Sequence, residues 1–258
     1  MRTHRIYSWL ALALFVLALA LTASGATVKA PRWDAHSAFG AASAALAAFL
    51  AVKLRSRAAF SALVFAAAGG LRLAATPPEA WAQIAHALLA QGFLASAFVL
   101  SLQTSSAWAV QPHFEDGGFP NLRHLAFLIP PVTLVQIALG AAYRRGAAGL
   151  VPHVSWAFAT AILVMMAAAF ALTQKDTPNL LKRISIWLLA LTGMQLLFGV
   201  GAYLARQDSP ASWLGWMAVA HITTGSLVMA LAAGWSCSVW RGARTAGDSR
   251  PVELGRHS

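Results

Sequence analysis

A single cysteine, Cys237, stands in a chain of 258 residues. That excludes an internal disulfide, a thiolate metal cluster and a CxxCH haem attachment. Acidic residues are nearly as scarce, eight against 19 Lys and Arg. Charged residues make up only 10 % of the chain, where a soluble domain carries about a quarter. A soluble helical protein needs a polar layer around its core, and this composition supplies none. What fills the chain instead is apolar: 59 % hydrophobic residues, with a mean hydropathy of +0.63. The net charge of +11 and pI of 11.3 raise the question of nucleic acid. The basic residues, however, sit in short clusters between apolar blocks, where lipid headgroups and orientation rules place them. The expected partner is the bilayer, with no nucleic acid.

The apolar blocks run to roughly 20 residues, enough to cross a hydrocarbon core of ~30 Å. Eight spans are expected: Ile6–Val28, Ala35–Leu54, Ala58–Ala75, Trp81–Leu102, Leu125–Tyr143, His153–Thr173, Ile184–Leu204 and Trp216–Trp240. The first could pass for a signal peptide, but the spacing from Gly25 to His36 argues that it stays. Short loops make sequential helices antiparallel neighbours. The fold class is therefore an all-α integral membrane protein of two pseudo-symmetric four-helix bundles. Residues 1–103 form the first half, 104–122 a cytoplasmic linker, 123–240 the second half, and 241–258 a disordered tail. With both termini inside, only Lys29, Arg32, Arg72, Arg144, Arg145 and Arg206 of the 19 basic residues face out. That bias places the termini in the cytoplasm and the protein in a bacterial-type inner (plasma) membrane.

A repeat runs through the spans. Each outward-going helix ends in glycine and a basic residue, and each returning helix starts with histidine. The copies are Gly25, Lys29/Arg32 and His36; Gly69-Gly70, Arg72 and His86; Gly140, Arg144 and His153; and Gly199, Arg206 and His221. Four residues after each histidine stands a small residue, Gly40, Ala90, Ala157 or Gly225. It lies on the same helix face, one turn deeper, and lets a flat ligand or another helix come close. Gln136 and Gly140 frame the same pattern as Gln195 and Gly199, with Tyr143 and Tyr203 following.

One histidine inside a membrane commonly bonds a neighbouring helix. Four at equivalent depth, on the returning helices only, mark a functional layer. Neutral imidazole is the usual axial ligand of haem iron. Two bis-histidine haem sites near the outer face are expected, His36/His86 and His153/His221. Arg72, Arg144, Arg145 and Arg206 lie where haem propionates would emerge and offer forked donors to carboxylates, or else act as interfacial anchors. Zinc and di-iron sites bring carboxylates or cysteines, which the spans almost lack. Gln136 and Gln195 read as interhelical glue or ligand contacts.

The stretch Leu134-Val-Gln-Ile-Ala-Leu-Gly-Ala-Ala-Tyr-Arg-Arg-Gly-Ala-Ala-Gly-Leu leading to His153, together with Thr22-Ala-Ser-Gly25 and the four histidines, resembles the haem A synthase family. Its members have eight helices in two pseudo-symmetric halves, with a histidine starting each even helix. The resemblance implies an oxidoreductase that converts the C8 methyl of haem O to the formyl group of haem A. It implies haem b as cofactor held by His153 and His221, and haem O as substrate received by His36 and His86. A haem O synthase and terminal-oxidase assembly proteins are the implied partners. The family's glutamate, three residues before the first histidine, is Trp33 here; Asp34 is the nearest carboxylate and the catalytic candidate. The family's outer-loop cysteine pair has no counterpart. Two other classes use the same features. A non-enzymatic di-haem b-type electron carrier or haem-handling protein would need the same histidines. A repeat-built transporter would need mid-membrane breaks, for which only Pro130-Pro131 offers itself.

Overall fold

The computed structural model describes residues 2–26, 35–71, 79–117, 119–207 and 215–244. Nearly all of them are helical. The helices are α1 (Arg2–Gly25), α2 (Ala35–Leu54), α3 (Arg57–Leu71), α4 (Ala80–Gln103), the single-turn α5 (Ser106–Ala109), α6 (Leu122–Arg144), α7 (Leu150–Thr173), α8 (Asn179–Gln207) and α9 (Gly215–Gly242). Seven are long and apolar enough to cross a membrane, so the chain is a multi-pass membrane protein by length and composition. The third expected span is the exception. Helix α3 is apolar but only 15 residues long, or about 22 Å at 1.5 Å per residue. The expected end of that span, from Arg72 on, lies outside the described residues.

The core falls into two clusters. One joins α1, α2, α3 and α4 through residues such as Leu14, Leu50, Ala62 and Leu94. The other joins α6, α7, α8 and α9 through Ile129, Val164, Leu188 and Trp235. In each set every helix packs on two others, α1 on α2 and α4 and α8 on α7 and α9, so that α1 closes on α4 and α6 closes on α9. Ala11, Leu14 and Ala18 of α1 are fully buried, so the first span is part of the core. Trp235, also fully buried, donates its indole N–H to Ser185 Oγ at 2.9 Å, and that hydroxyl donates to the Leu181 carbonyl. No polar atom of that indole is left unpaired in an apolar surround, where the cost is high.

The two sets meet along α4 and α9. Gln91 Nε2 donates to Ser226 Oγ at 2.9 Å, and the Phe98 ring lies where a Cβ on Gly234 would come within 2.5 Å of it. Gln91 follows His86, and Ser226 follows His221, at the same spacing of five residues. The contact therefore joins matching positions of the two repeats.

The connector after α4 is not a free loop. Its strand β1 (Phe114–Glu115) pairs in parallel with β2 (Ala243–Arg244), which follows α9. Asp116, buried, accepts from the Leu122 and Arg123 amides at 2.9 and 3.0 Å. A carboxylate there satisfies orphan donors at the start of α6 and complements its dipole. Arg241 packs over the Trp108 ring at 4.7 Å and donates to the Trp108 carbonyl. The tail expected to be disordered from Arg241 is thus structured through Arg244, because its backbone finds partners in the connector. Residues 245–258 lie outside the described part. Helix α6 runs through Pro130 and Pro131 without ending, so the one expected mid-membrane break does not interrupt the helix.

Candidate functional site

The repeat histidines sit within the first two turns of their helices: His36 on α2, His86 on α4, His153 on α7 and His221 on α9. All four are half-buried. They come together in the expected pairs. The His36 and His86 ring centres are 6.2 Å apart with the planes inclined at 65°. Those of His153 and His221 are also 6.2 Å apart, inclined at 88°. Two metal–nitrogen bonds of about 2 Å, plus about 1.1 Å from each nitrogen to its ring centre, span roughly 6.2 Å. The separation suits a metal shared by two imidazoles.

The glycines of the repeat explain how three of the rings are seated. A Cβ on Gly25 would stand 3.0 Å from His36 Cε1, one on Gly140 2.8 Å from His153 Cε1, and one on Gly199 3.1 Å from His221 Cε1. At Gly140 a Cβ would force the ring to shift, and at Gly25 and Gly199 the ring would have to give way slightly. The second copy departs from this: nothing lies within 4 Å of a Cβ on Gly69 or Gly70.

The same helices orient the rings through the residue four before each glycine. His36 Nδ1 lies 3.0 Å from the Leu21 carbonyl, and His221 Nδ1 lies 3.0 Å from the Gln195 carbonyl. A Nδ1–H that donates to a carbonyl leaves Nε2 as the free lone pair, the tautomer a metal ligand needs. Side chains also meet these rings, and not all of them favour that tautomer. Ser24 Oγ is 3.2 Å from His36 Nδ1, Gln136 Nε2 is 3.1 Å from His153 Nδ1, and Gln195 Nε2 is 3.4 Å from His221 Nε2.

Gly225 has a different use from the open face expected of it. A Cβ there would meet Gln195 Nε2 at 2.8 Å, so the space it leaves takes that amide. A Cβ on Gly40 would meet only the Leu21 side chain, at ordinary contact distance.

Of the expected arginines, Arg206 reaches this arrangement through Tyr143. Its guanidinium stacks over the Tyr143 ring at 4.6 Å, and Tyr143 in turn stacks on His153, 6.5 Å between centres and 8° between planes. Arg144 donates through Nη2 to the Ala26 carbonyl at 2.6 Å, which ties the C-terminal end of α6 to that of α1. Asp34 and Arg72 lie outside the described residues.

Tyr143 was visible in the sequence only as part of a repeat. It follows Gly140 by three residues, whereas Tyr203 follows Gly199 by four. A helix turns about 100° per residue, so the two rings face different ways, and Tyr203 is largely exposed. Gln136 and Gln195 bridge neighbouring helices, as expected of interhelical glue, by meeting His153 and His221; the place of Ser24 beside His36 carried no sequence signal.

Among the described residues no three or more His, Cys, Asp or Glu gather as a metal-binding group. Each pair therefore offers two nitrogen donors and, within that part of the chain, no third. A zinc site wants four protein donors, or three and a water. Two facing imidazoles suit a metal that brings its remaining ligands with it, as the iron of a porphyrin does. No protein-family model matches the chain, and no curated protein matches it.

Proposed function

We propose that the chain is a haem A synthase-like membrane oxidoreductase, with eight spans in two pseudo-symmetric four-helix halves and one bis-histidine site in each. The observation that carries this reading is the equal 6.2 Å separation of the two histidine pairs. The ring of contacts within α1, α2, α3 and α4, repeated in α6, α7, α8 and α9, supports the two halves. The concentration of basic residues on one side supports cytoplasmic termini in a bacterial-type inner membrane.

In this reading His153 and His221 hold haem b, and His36 and His86 receive the iron of haem O. Haem b, when bound, supplies one-electron transfer. The chain's own residues do the positioning. Backbone carbonyls of Leu21 and Gln195 keep the Nδ1 protons of His36 and His221 in place, which presents Nε2 to the metal. Arg206 places a positive charge beside Tyr143 and the second pair, at the outer end where propionates need neutralising. Arg144 and Arg72 are proposed for the same role at the outer rim, and Asp34 for handling protons while the C8 methyl of haem O is oxidised to the formyl group.

The protein, produced in cells that also make haem O, is expected to yield haem A on extraction and chromatography. One observation favours a second reading. The two pairs have the same spacing, as two permanently held haems would require, and a di-haem b-type electron carrier uses both alike. Bound haem b at both pairs with no haem A would select that reading.

A further inference from the structure

The two histidine pairs are alike in spacing but not in what surrounds them. At the residue four before the glycine, α1 has Leu21 while α6 and α8 have Gln136 and Gln195. The second pair therefore carries an amide on each ring, and the His36 side of the first carries only the Ser24 hydroxyl. Both amide oxygens, Gln136 Oε1 and Gln195 Oε1, are buried without a hydrogen-bond partner. Leaving a buried acceptor unpaired costs stability, and two such acceptors at the same repeat position point to a use.

We propose that Gln136 and Gln195 are positioning residues that set the donor strength and accessibility of the second histidine pair towards a metalloporphyrin, a control absent from His36. The inference rests on the haem reading above and deepens it. The Gln136 amide is nearly two-fold in shape. With Nε2 towards His153 Nδ1 it donates to that nitrogen and opposes the Nδ1–H tautomer. Turned by 180°, it puts Oε1 at the same 3.1 Å, where it accepts the Nδ1 proton and leaves Nε2 free to bind. An acceptor on Nδ1–H makes an imidazole the stronger donor and stabilises the oxidised metal. Gln195 acts at the other nitrogen. Its Nε2 lies 3.4 Å from His221 Nε2, in the space that Gly225 leaves open, so it caps the ligating atom until a metal displaces it.

The test uses the purified full chain in detergent, with His36 and His86 both replaced by Ala so that only the second pair reports. Gln136→Leu removes the acceptor and is expected to raise the midpoint potential of bound haem. Gln136→Glu strengthens the acceptor and is expected to lower it. Opposite signs are what a merely structural role would not produce. Shifts of the same sign, or none, overturn the proposal. Gln195→Leu removes the cap and is expected to speed haemin association with the haem-free protein; an unchanged or slower rate counts against the cap. In the otherwise unmutated chain, nitrogen-15 shifts of haem-free protein report which ring nitrogen holds the proton. Gln136→Leu should change the tautomer ratio at His153 and leave that at His36 alone. No change at His153 overturns the proposal even for a variant that takes up no haem. Haem that binds with unmoved potentials removes this inference only. Failure of the unmutated protein to bind haem at all removes the function proposed above.

Discussion

Replacing either His153 or His221 with alanine is expected to abolish the low-spin spectrum of haem in the second half. The two rings lie 6.2 Å apart, and in the proposed reading each would supply one nitrogen to the haem iron. Losing one leaves the iron five-coordinate or open to water, which converts a low-spin centre to high-spin or releases the haem. The effect on folding should be small by comparison. Both residues are half-buried, alanine favours helix, and the lost interhelical hydrogen bond contributes about 0.6 kcal/mol in a membrane. Absorption and electron paramagnetic resonance read the ligation; circular dichroism reads the fold. An unchanged low-spin signal in both variants would place the haem elsewhere.

The second large effect is expected from Gly140→Ala. The added methyl carbon would lie 2.8 Å from His153 Cε1, well inside contact distance. The ring cannot bend, so it must turn or α6 must back away. Overpacking of this kind costs about 1–3 kcal/mol, or roughly 5- to 100-fold in haem affinity if the strain falls on the site. Gly69→Ala is the control. It alters the equivalent glycine of the repeat but meets nothing within 4 Å, and haem affinity should not change. Equal losses in the two variants would mean that the glycines serve helix packing in general rather than the ring.

Hydropathy made most of this architecture readable. Long apolar runs with short polar breaks have one physical solution in a bilayer, because every backbone group must be bonded within its own helix. The boundaries were less legible: α1 starts at Arg2 and α8 extends from Asn179 to Gln207, since helices continue past the hydrocarbon edge. Histidines at matched depth on the returning helices were enough to expect the pairs His36/His86 and His153/His221, which the structure brings together. The seating of His36, His153 and His221 against Gly25, Gly140 and Gly199 was not foreseen.

Other features had no sequence signal. The docking of the connector depends on two backbone segments more than a hundred residues apart, Phe114–Glu115 and Ala243–Arg244, and neither carries a strand pattern long enough to read. The Arg206–Tyr143–His153 stack depends on helix rotation, which one residue of spacing reverses at Tyr203. The role of Gln136 and Gln195 depends on which histidine nitrogen each amide meets.

Haem content of the purified, unmutated protein tests the central claim most directly. After reconstitution with haemin in detergent and removal of excess, the intact protein should show a low-spin, bis-histidine absorption spectrum, and the pyridine haemochrome should report stably bound b-type haem. The same treatment of a chain lacking all four of His36, His86, His153 and His221 should leave none. Unmutated protein that retains no haem, or a four-histidine variant that retains as much, would contradict the account.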